Sequence, residues 1–374
     1  MAPDPLPSEF PALIKTGRLA AATQVLSDAI AAHAFPGCAF GVLAGGAVVA
    51  QESLGRFAYE ENAPAVTAET VFDVASLTKV VATTATAMLL RQRAVLDLET
   101  PLGELLPGFV VGRPAEEHAR QVRLHHLLAH SSGLPGYVEF FRTAGTSAGL
   151  FRACLELPLE AEPGTRAEYS DPGFILLGKA LEVLTGEYLA PWVQREVFAP
   201  LRMTATGFCP ASSVRAAIPP TEEDTTLRFR RIQGEVQDEN AWLLKGAAGH
   251  AGVFSNVPDL LRFAGEVLNA VSGRGGCAFE AATVEEFAAR QGPEGSSRAL
   301  GWDTPSENSS SGRHFSKRSI GHLGYSGCSL WIDLEAGIAV ALLTNRTWPN
   351  RSADSARLIK EVRPAFHDAV RASF

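Results

Sequence analysis

The sequence predicts an α+β chain in which an antiparallel sheet, flanked by terminal helices, is interrupted by an inserted, mainly helical segment. Three observations carry this reading. Strand patterns gather near residues 38–51 and again over 319–344. Between them, apolar residues recur mostly at helical spacing. Helical patterns also stand at both ends, over 17–34 and 352–372. A sheet assembled from the two ends must bury its apolar surface, and the terminal helices are available to cover it. The expected division is therefore 12–78 with 246–374 for the sheet part, and 79–245 for the helical part.

Residues 1–11 are Pro-rich and read as a loose arm. In 17–34, Leu19, Val25, Leu26 and Ile30 fall on one helical face. Residues 38–44, the pair Gly45-Gly46 and residues 47–51 read as strand, tight turn and strand. A buried helix is expected from about Ser76 onward. A turn and a short helix follow over 95–107, then a helix over 122–129 stopped by Ser131-Ser132-Gly133-Leu134-Pro135. Residues 171–185 are apolar at helical spacing, with Pro172 suited to a first turn. Another short helix covers 191–198. Residues 213–245 turn polar and irregular and read as a surface excursion, a candidate lid. A helix over 257–269 opens at Asn256-Val257-Pro258-Asp259, and 292–312 is a Ser/Gly-rich loop. Three short strands are expected at 319–324, 328–333 and 337–344.

The 374 residues suffice for two domains, or for one with a large insert. A net charge of −8, with no basic run, argues against nucleic acid as a partner. Residues 1–7 lack the basic and apolar segments of a secretory signal, and no apolar run approaches the ~18 residues of a membrane span. Cys38, Cys154, Cys209, Cys277 and Cys328 are scattered, with no Cys-x-x-Cys, so neither a disulfide framework nor a zinc ribbon is implied. A cytoplasmic setting is expected. His125, His126 and His130 raise the question of a metal, since 126 and 130 share a helical face. No His-Glu-x-x-His pattern or nearby acidic ligand supports one. No metal or cofactor is implied, and oligomeric state is left open.

The chain is organised around Val71-Phe72-Asp73-Val74-Ala75-Ser76-Leu77-Thr78-Lys79. Ser76 and Lys79 are three apart, so on a helix the Lys79 ammonium sits one turn above the Ser76 hydroxyl. A serine at a helix start also has free backbone N–H groups and the positive end of the dipole beside it. Those are the needs of a nucleophile: a nearby proton acceptor and help for an oxyanion. Lys79 is followed by an apolar run, where a lysine is rarely left without a role. Tyr169-Ser170-Asp171, just before a helix, and His322-Leu323-Gly324, at a strand end, are the other segments of interest. So is His130-Ser131-Ser132-Gly133-Leu134-Pro135.

Ser76-Leu-Thr-Lys79, Tyr169-Ser-Asp171 and His322-Leu-Gly324, in that order, resemble the three motifs of the serine β-lactamase and penicillin-binding-protein superfamily. The match is best with class C β-lactamase-related serine hydrolases, in their esterase-like branch. The stretches 127–135 and 249–255 are similar too, and the resemblance spans about 20–350. It implies a β-lactamase/transpeptidase-like fold with the active site where sheet and helical parts meet. It implies that Ser76 attacks an acyl carbonyl, that Lys79 and Tyr169 share the proton relay, and that His322 stands near both. The backbone N–H groups of Ser76 and Tyr325 would form the oxyanion hole, and Gly324 would let substrate lie close to the strand. On this view a tyrosine serves as base only if the neighbouring ammonium favours its phenolate.

Two departures narrow the substrate. His322 stands where a fixed cation is common, and histidine is largely neutral near pH 7. Asp171 replaces the usual Asn, and an ionised Asp can accept a hydrogen bond but not donate one. Both point toward small esters, with β-lactams and D-amino-acid peptides as alternatives. A slowly turning-over, penicillin-binding acyl sensor is a third. The expected partner is a small ester, amide or β-lactam. An α/β-hydrolase reading is set aside.

Overall fold

A computed structural model describes residues 17–113 and 116–374. The Pro-rich arm at 1–11 and the first residues of the expected sheet part, 12–16, lie outside the described residues. The strands, in chain order, are β1 Gly37–Ala44, β2 Ala47–Gly55, β3 Phe72–Asp73, β4 Gly207–Phe208, β5 Pro220–Asp224, β6 Arg230–Gln233, β7 Val253–Ser255, β8 Ser319–Leu323, β9 Ser329–Asp333 and β10 Ile338–Thr344.

The principal sheet is antiparallel, in the order β2-β1-β10-β9-β8. Strands from the two ends of the chain thus meet at the β1–β10 seam, where Cys38 pairs with Thr344 and Ala44 with Ile338. Side chains of β10 alternate between two cores. Ile338, Val340 and Leu342 face the terminal helices Ala20–Ala31 and Ala353–Arg371, alongside Phe40, Trp331 and Phe366. Ala339, Ala341 and Leu343 face the other core, which includes the Val257–Val271 helix. The smaller side chains on that face let the helix sit close. At Gly41 an added Cβ would stand 2.5 Å from Val257 and 2.8 Å from Leu261.

Three elements have the bounds their punctuation demands. In the Asp171–Thr185 helix the Ser170 side chain caps the Gly173 N–H, Pro172 occupies the first turn, and Gly186 ends it at φ +70. Asn256 caps the Val257–Val271 helix through the Asp259 N–H. Ser352 does the same for Ala353–Arg371.

Other expectations are corrected. The helix at Ser76 opens as a 3-10 turn, Ala75–Leu77, widens into a π-helix over Lys79–Thr84, and becomes α-helical only at Ala85–Gln92. Residues 213–245 are not an irregular excursion. They hold the β5–β6 hairpin and a helix at Glu239–Leu243. The Asp224 carboxylate gathers the N–H groups of Thr226, Leu227 and Arg228 and pairs with the buried Arg228 guanidinium, and these contacts fix the turn. Asn345 donates to Pro220 O, and Glu223 N–H to Pro349 O, which bind the hairpin to the end of β10. Leu124–Leu128 is a single short helix, and His130, at φ +55, lies beyond it. His126 and His130 therefore share no helical face. No helix among the described residues is long and apolar enough to cross a membrane.

Candidate active site

The sharp turn before Ser76 is held from three sides. Ala75 adopts φ +48, an unusual value for a residue with a Cβ. The buried Asp73 carboxylate accepts from the Ala75 N–H at 2.8 Å and from the Gln237 N–H at 2.8 Å. Strand β3 pairs with β7, and Thr78 Oγ1 donates to Ala75 O while accepting from the Val253 N–H. Burial pushes the Asp73 carboxyl up to about 6, against the pull of those N–H donors. The N–H groups of Ser76 and Tyr325 make no hydrogen bond among the described residues. Both residues line the same cleft of about 870 Å³, within the usual size of a small-molecule site.

Lys79 is fully buried, and its ammonium has three acceptors: Ser76 Oγ at 3.0 Å, Asp171 Oδ1 at 2.7 Å and His250 O at 3.1 Å. Three N–H groups meet three acceptors, so the nitrogen has no free lone pair in this state. Burial alone would push the Lys79 pKa down, but Asp171 and Tyr169 outweigh it and the net shift is upward. The carbonyl of His250 is positioned by its own side chain. Its ring Nε2 lies 2.8 Å from Asp238 Oδ1, and Asp238 also caps the Glu239–Leu243 helix. Thr83, in the π-helical turn, donates to the adjoining Gly249 O at 2.6 Å.

Tyr169 stands among cations and rings. The Lys79 nitrogen is 4.8 Å and the Arg298 guanidinium carbon 5.2 Å from its ring centroid. The His130 ring lies tilted against it, with centroids 4.6 Å apart, and His322 lies 5.8 Å away. Burial raises the Tyr169 pKa more than Lys79 lowers it. Sequence reasoning looked to the ammonium to favour the phenolate. Desolvation wins instead, so the resting pair is phenol and ammonium.

His322, in β8, is buried, not facing solvent. Its Nδ1 donates to Leu323 O at 2.8 Å, which leaves Nε2 as an acceptor without a partner among the described residues. Burial, then Lys79 and Arg298, hold it well below the usual histidine range. His130 Nδ1 accepts from the Ser170 N–H at 3.0 Å and so orders the turn that carries Tyr169. It too is held low, by burial first and then by Arg298 and Lys79. His125 and His126 lie apart from this cluster; His126 Nδ1 accepts from the Arg123 N–H as a helix cap.

At Gly324 an added Cβ would stand 2.5 Å from Val74 O, so the glycine permits close approach of the Ser76 segment, and it also lines the cleft. The Tyr325 side chain is about half exposed at the cleft wall. Ser76, Lys79, Tyr169, Asp171 and His322 are thus brought together, with Gly324 and Tyr325 alongside.

Sequence reasoning gave no role to Asp73 or His250, although both lie in stretches it singled out, and it missed Asp238, Arg298 and Arg346, which no local spacing connects to Ser76. It also passed over Gly145-Thr146-Ser147-Ala148-Gly149, which does match the Gly-x-Ser-x-Gly pattern of α/β-hydrolases. There is no strand-to-helix elbow here. Thr146 caps the Ser147–Glu156 helix, and Ser147 Oγ donates to Leu243 O.

A family model described as Beta-lactamase matches residues 22–362. A Bacillus subtilis protein named N-acetylmuramyl-L-alanine amidase is 31% identical over 368 residues, covering 90% of this chain and 82% of its own length. Among solved structures, EstCE1, described as a hydrolase with promiscuous acyltransferase activity, superposes with TM-score 0.74 at 23% identity, covering 94% of this chain and 98% of that one. Unliganded simvastatin synthase (LovD) from Aspergillus terreus gives TM-score 0.71 at 18% identity, covering 96% and 99%. These two likenesses bear on the fold.

Proposed function

The chain belongs to the beta-lactamase family of hydrolases, and on that premise we propose that it is a serine hydrolase working through an acyl-enzyme on Ser76, with small esters or amides as substrates. The observation that carries the reading is the 3.0 Å contact between Ser76 Oγ and Lys79 Nζ, with Asp171 and Tyr169 at the same ammonium. In the division proposed from the sequence, a sheet part (12–78 with 246–374) and a helical part (79–245), residues from both line the cleft, among them Ser76 and His322 from the first and Tyr169 and Asp171 from the second.

Ser76 Oγ attacks the acyl carbonyl carbon, and the oxyanion is received by the N–H groups of Ser76 and Tyr325. At rest Lys79 and Tyr169 both hold their protons, so the form able to take the Ser76 proton is one proton short. Whether the vacancy lies on Tyr169 or Lys79, the proton count is the same, because the two groups titrate together. That proton then passes to the leaving oxygen or nitrogen as the acyl-enzyme forms. Water attacks the ester carbonyl in the second half, with the same cluster as its base. Neutral His322 presents an acceptor at Nε2 toward this region.

Amide hydrolysis is kept beside ester hydrolysis because the relative at 31% identity is named an amidase. The test is intact-mass analysis after treatment with a p-nitrophenyl alkylphosphonate. One phosphonyl adduct, mapped to Ser76 and absent from S76A, supports the reading. Equal labelling of S76A contradicts it. An acyl adduct that persists for hours with p-nitrophenyl acetate would instead favour the slow acyl sensor.

A further inference from the structure

Behind the Ser76–Lys79 helix, Asp238 and His250 form a pair that has no part in the steps above. The His250 ring is buried and has one hydrogen-bond partner among the described residues: Nε2 lies 2.8 Å from Asp238 Oδ1, and Nδ1 has none. A carboxylate can only accept, so Nε2 is the donor. Burial pushes the Asp238 carboxyl up, but the His250 ring and the Ala241 N–H outweigh it and hold it down to about 2.

Asp238 is itself braced. It accepts from the Ala241 N–H at 2.7 Å. The N–H of the preceding Gln237 donates to Asp73 at 2.8 Å, and the Gln237 Oε1 accepts from Thr347 Oγ1 at 3.2 Å. Val236 and Ala241 join Ala248 and Ala251 in a small apolar cluster, so this segment packs against the turn that holds His250. That turn has little freedom. An added Cβ at Gly249 would stand 2.1 Å from Phe174 O, and the Val253 N–H donates to Thr78 Oγ1 at 3.0 Å. Gln237 and Asp238 therefore brace both partners in proton transfer, the Ser76 turn through Asp73 and Lys79 through His250.

The aim of the His250 carbonyl matters because of what its companions can do. Of the three groups at the Lys79 nitrogen, His250 O and the Asp171 carboxylate can only accept. Each keeps an N–H, and the remaining position of the nitrogen faces Ser76 Oγ. That position carries an N–H when the vacancy lies on Tyr169 and the lone pair when it lies on Lys79. A carbonyl turned aside would release the nitrogen from this direction. We propose that Asp238, acting through the His250 ring, is a positioning residue that keeps the Lys79 nitrogen directed at Ser76. This rests on the serine-hydrolase reading above and adds a residue pair outside its three motifs.

The experiment compares wild type with D238A, D238N, H250A and the D238A/H250A double variant on p-nitrophenyl butyrate. D238A should lose about 10²-fold in kcat with little change in KM, the loss expected when a reacting group is misplaced by about 1 Å. D238N keeps an oxygen acceptor for both donors and should recover most of that loss. H250A should lose about as much as D238A, and the double variant no more than either, because both interrupt one connection. Wild-type kcat in D238A, or losses that add in the double variant, overturns the positioning role. Lys79 is also read without turnover, by the 1H–15Nζ cross-peak of its ammonium, assigned by its disappearance in K79M. Slow exchange at three acceptors should make it visible in wild type and D238N and remove it in D238A and H250A. Its absence from wild type, or its persistence in D238A, overturns the role. Loss of the cross-peak in D238A together with ester hydrolysis that survives S76A would keep the positioning and remove the hydrolase reading. An unchanged cross-peak beside Ser76-dependent hydrolysis would do the reverse. Should H250A fail to fold, D238A and D238N decide by their kcat ratio and cross-peaks.

Discussion

Asp171 Oδ1 lies 2.7 Å from the fully buried Lys79 Nζ, and this ion pair sets the protonation of the whole cluster. The carboxylate raises the pKa of Lys79 and also that of Tyr169. In the proposed relay it favours the protonated form of both groups.

Replacing that charge should therefore move the pH profile. In D171N the amide oxygen can still accept from Lys79, but the negative charge is gone. Both raised pKa values then fall, so kcat/KM for p-nitrophenyl butyrate should begin its rise at lower pH than in wild type. An unchanged profile contradicts this role for Asp171. The same variant regains a side-chain donor, and its ratio of nitrocefin to ester turnover should increase. D171A, which leaves the buried ammonium without its partner, should cost on the order of 3 kcal/mol in urea unfolding.

In the proposed mechanism Tyr169 carries the Ser76 proton, because Lys79 has committed its three N–H groups. Y169F should lose about 10³-fold in kcat with little change in Tm. A loss below 10-fold would hand the base role to Lys79.

Asp73 gives a pH dependence of stability. Its carboxyl rises from an ordinary 3.8 to about 6 on folding, chiefly through burial. The folded state thus binds the proton more tightly than the unfolded chain. The stability this group contributes is fully present below pH 3.8 and is lost as pH rises through 6. D73N removes that dependence. Between pH 4 and 7, wild type should lose on the order of 3 kcal/mol more than D73N, read by urea titration at the two pH values.

Two further substitutions separate packing from chemistry. S147A, in the Gly-x-Ser-x-Gly look-alike, should leave ester turnover unchanged and cost about 1 kcal/mol for the lost hydrogen bond. G324A should push its Cβ against Val74 O and displace the Ser76 turn, costing about 1–3 kcal/mol and most of the activity.

What the sequence disclosed was local. Ser170, Pro172 and Gly186 mark the helix at 171–185 because caps and left-handed glycines act within a few residues of themselves. The Ser76–Lys79 pair was legible for the same reason, although the helix bearing it widens into a π turn that spacing alone does not reveal. The β5–β6 hairpin stayed hidden because Thr221, Glu222 and Glu223 give no apolar alternation. Its turn depends on the Asp224 carboxylate and a buried Arg228. Lys79 meets the His250 carbonyl across 171 positions of sequence, and Asp73 meets Gln237 across 164. Arg298 reaches Tyr169 only through the fold. Such partners have no spacing to read, and so the motif residues were found while the groups that orient and charge them were not.

In the proposed mechanism, turnover depends on the Ser76 hydroxyl. Wild type and S76A, purified side by side, are assayed on p-nitrophenyl acetate, p-nitrophenyl butyrate and nitrocefin, with matching circular dichroism as the control for folding. Ester hydrolysis by wild type, its loss to background in S76A, and weak nitrocefin turnover are the expected results. Ester hydrolysis that survives in a folded S76A would contradict it.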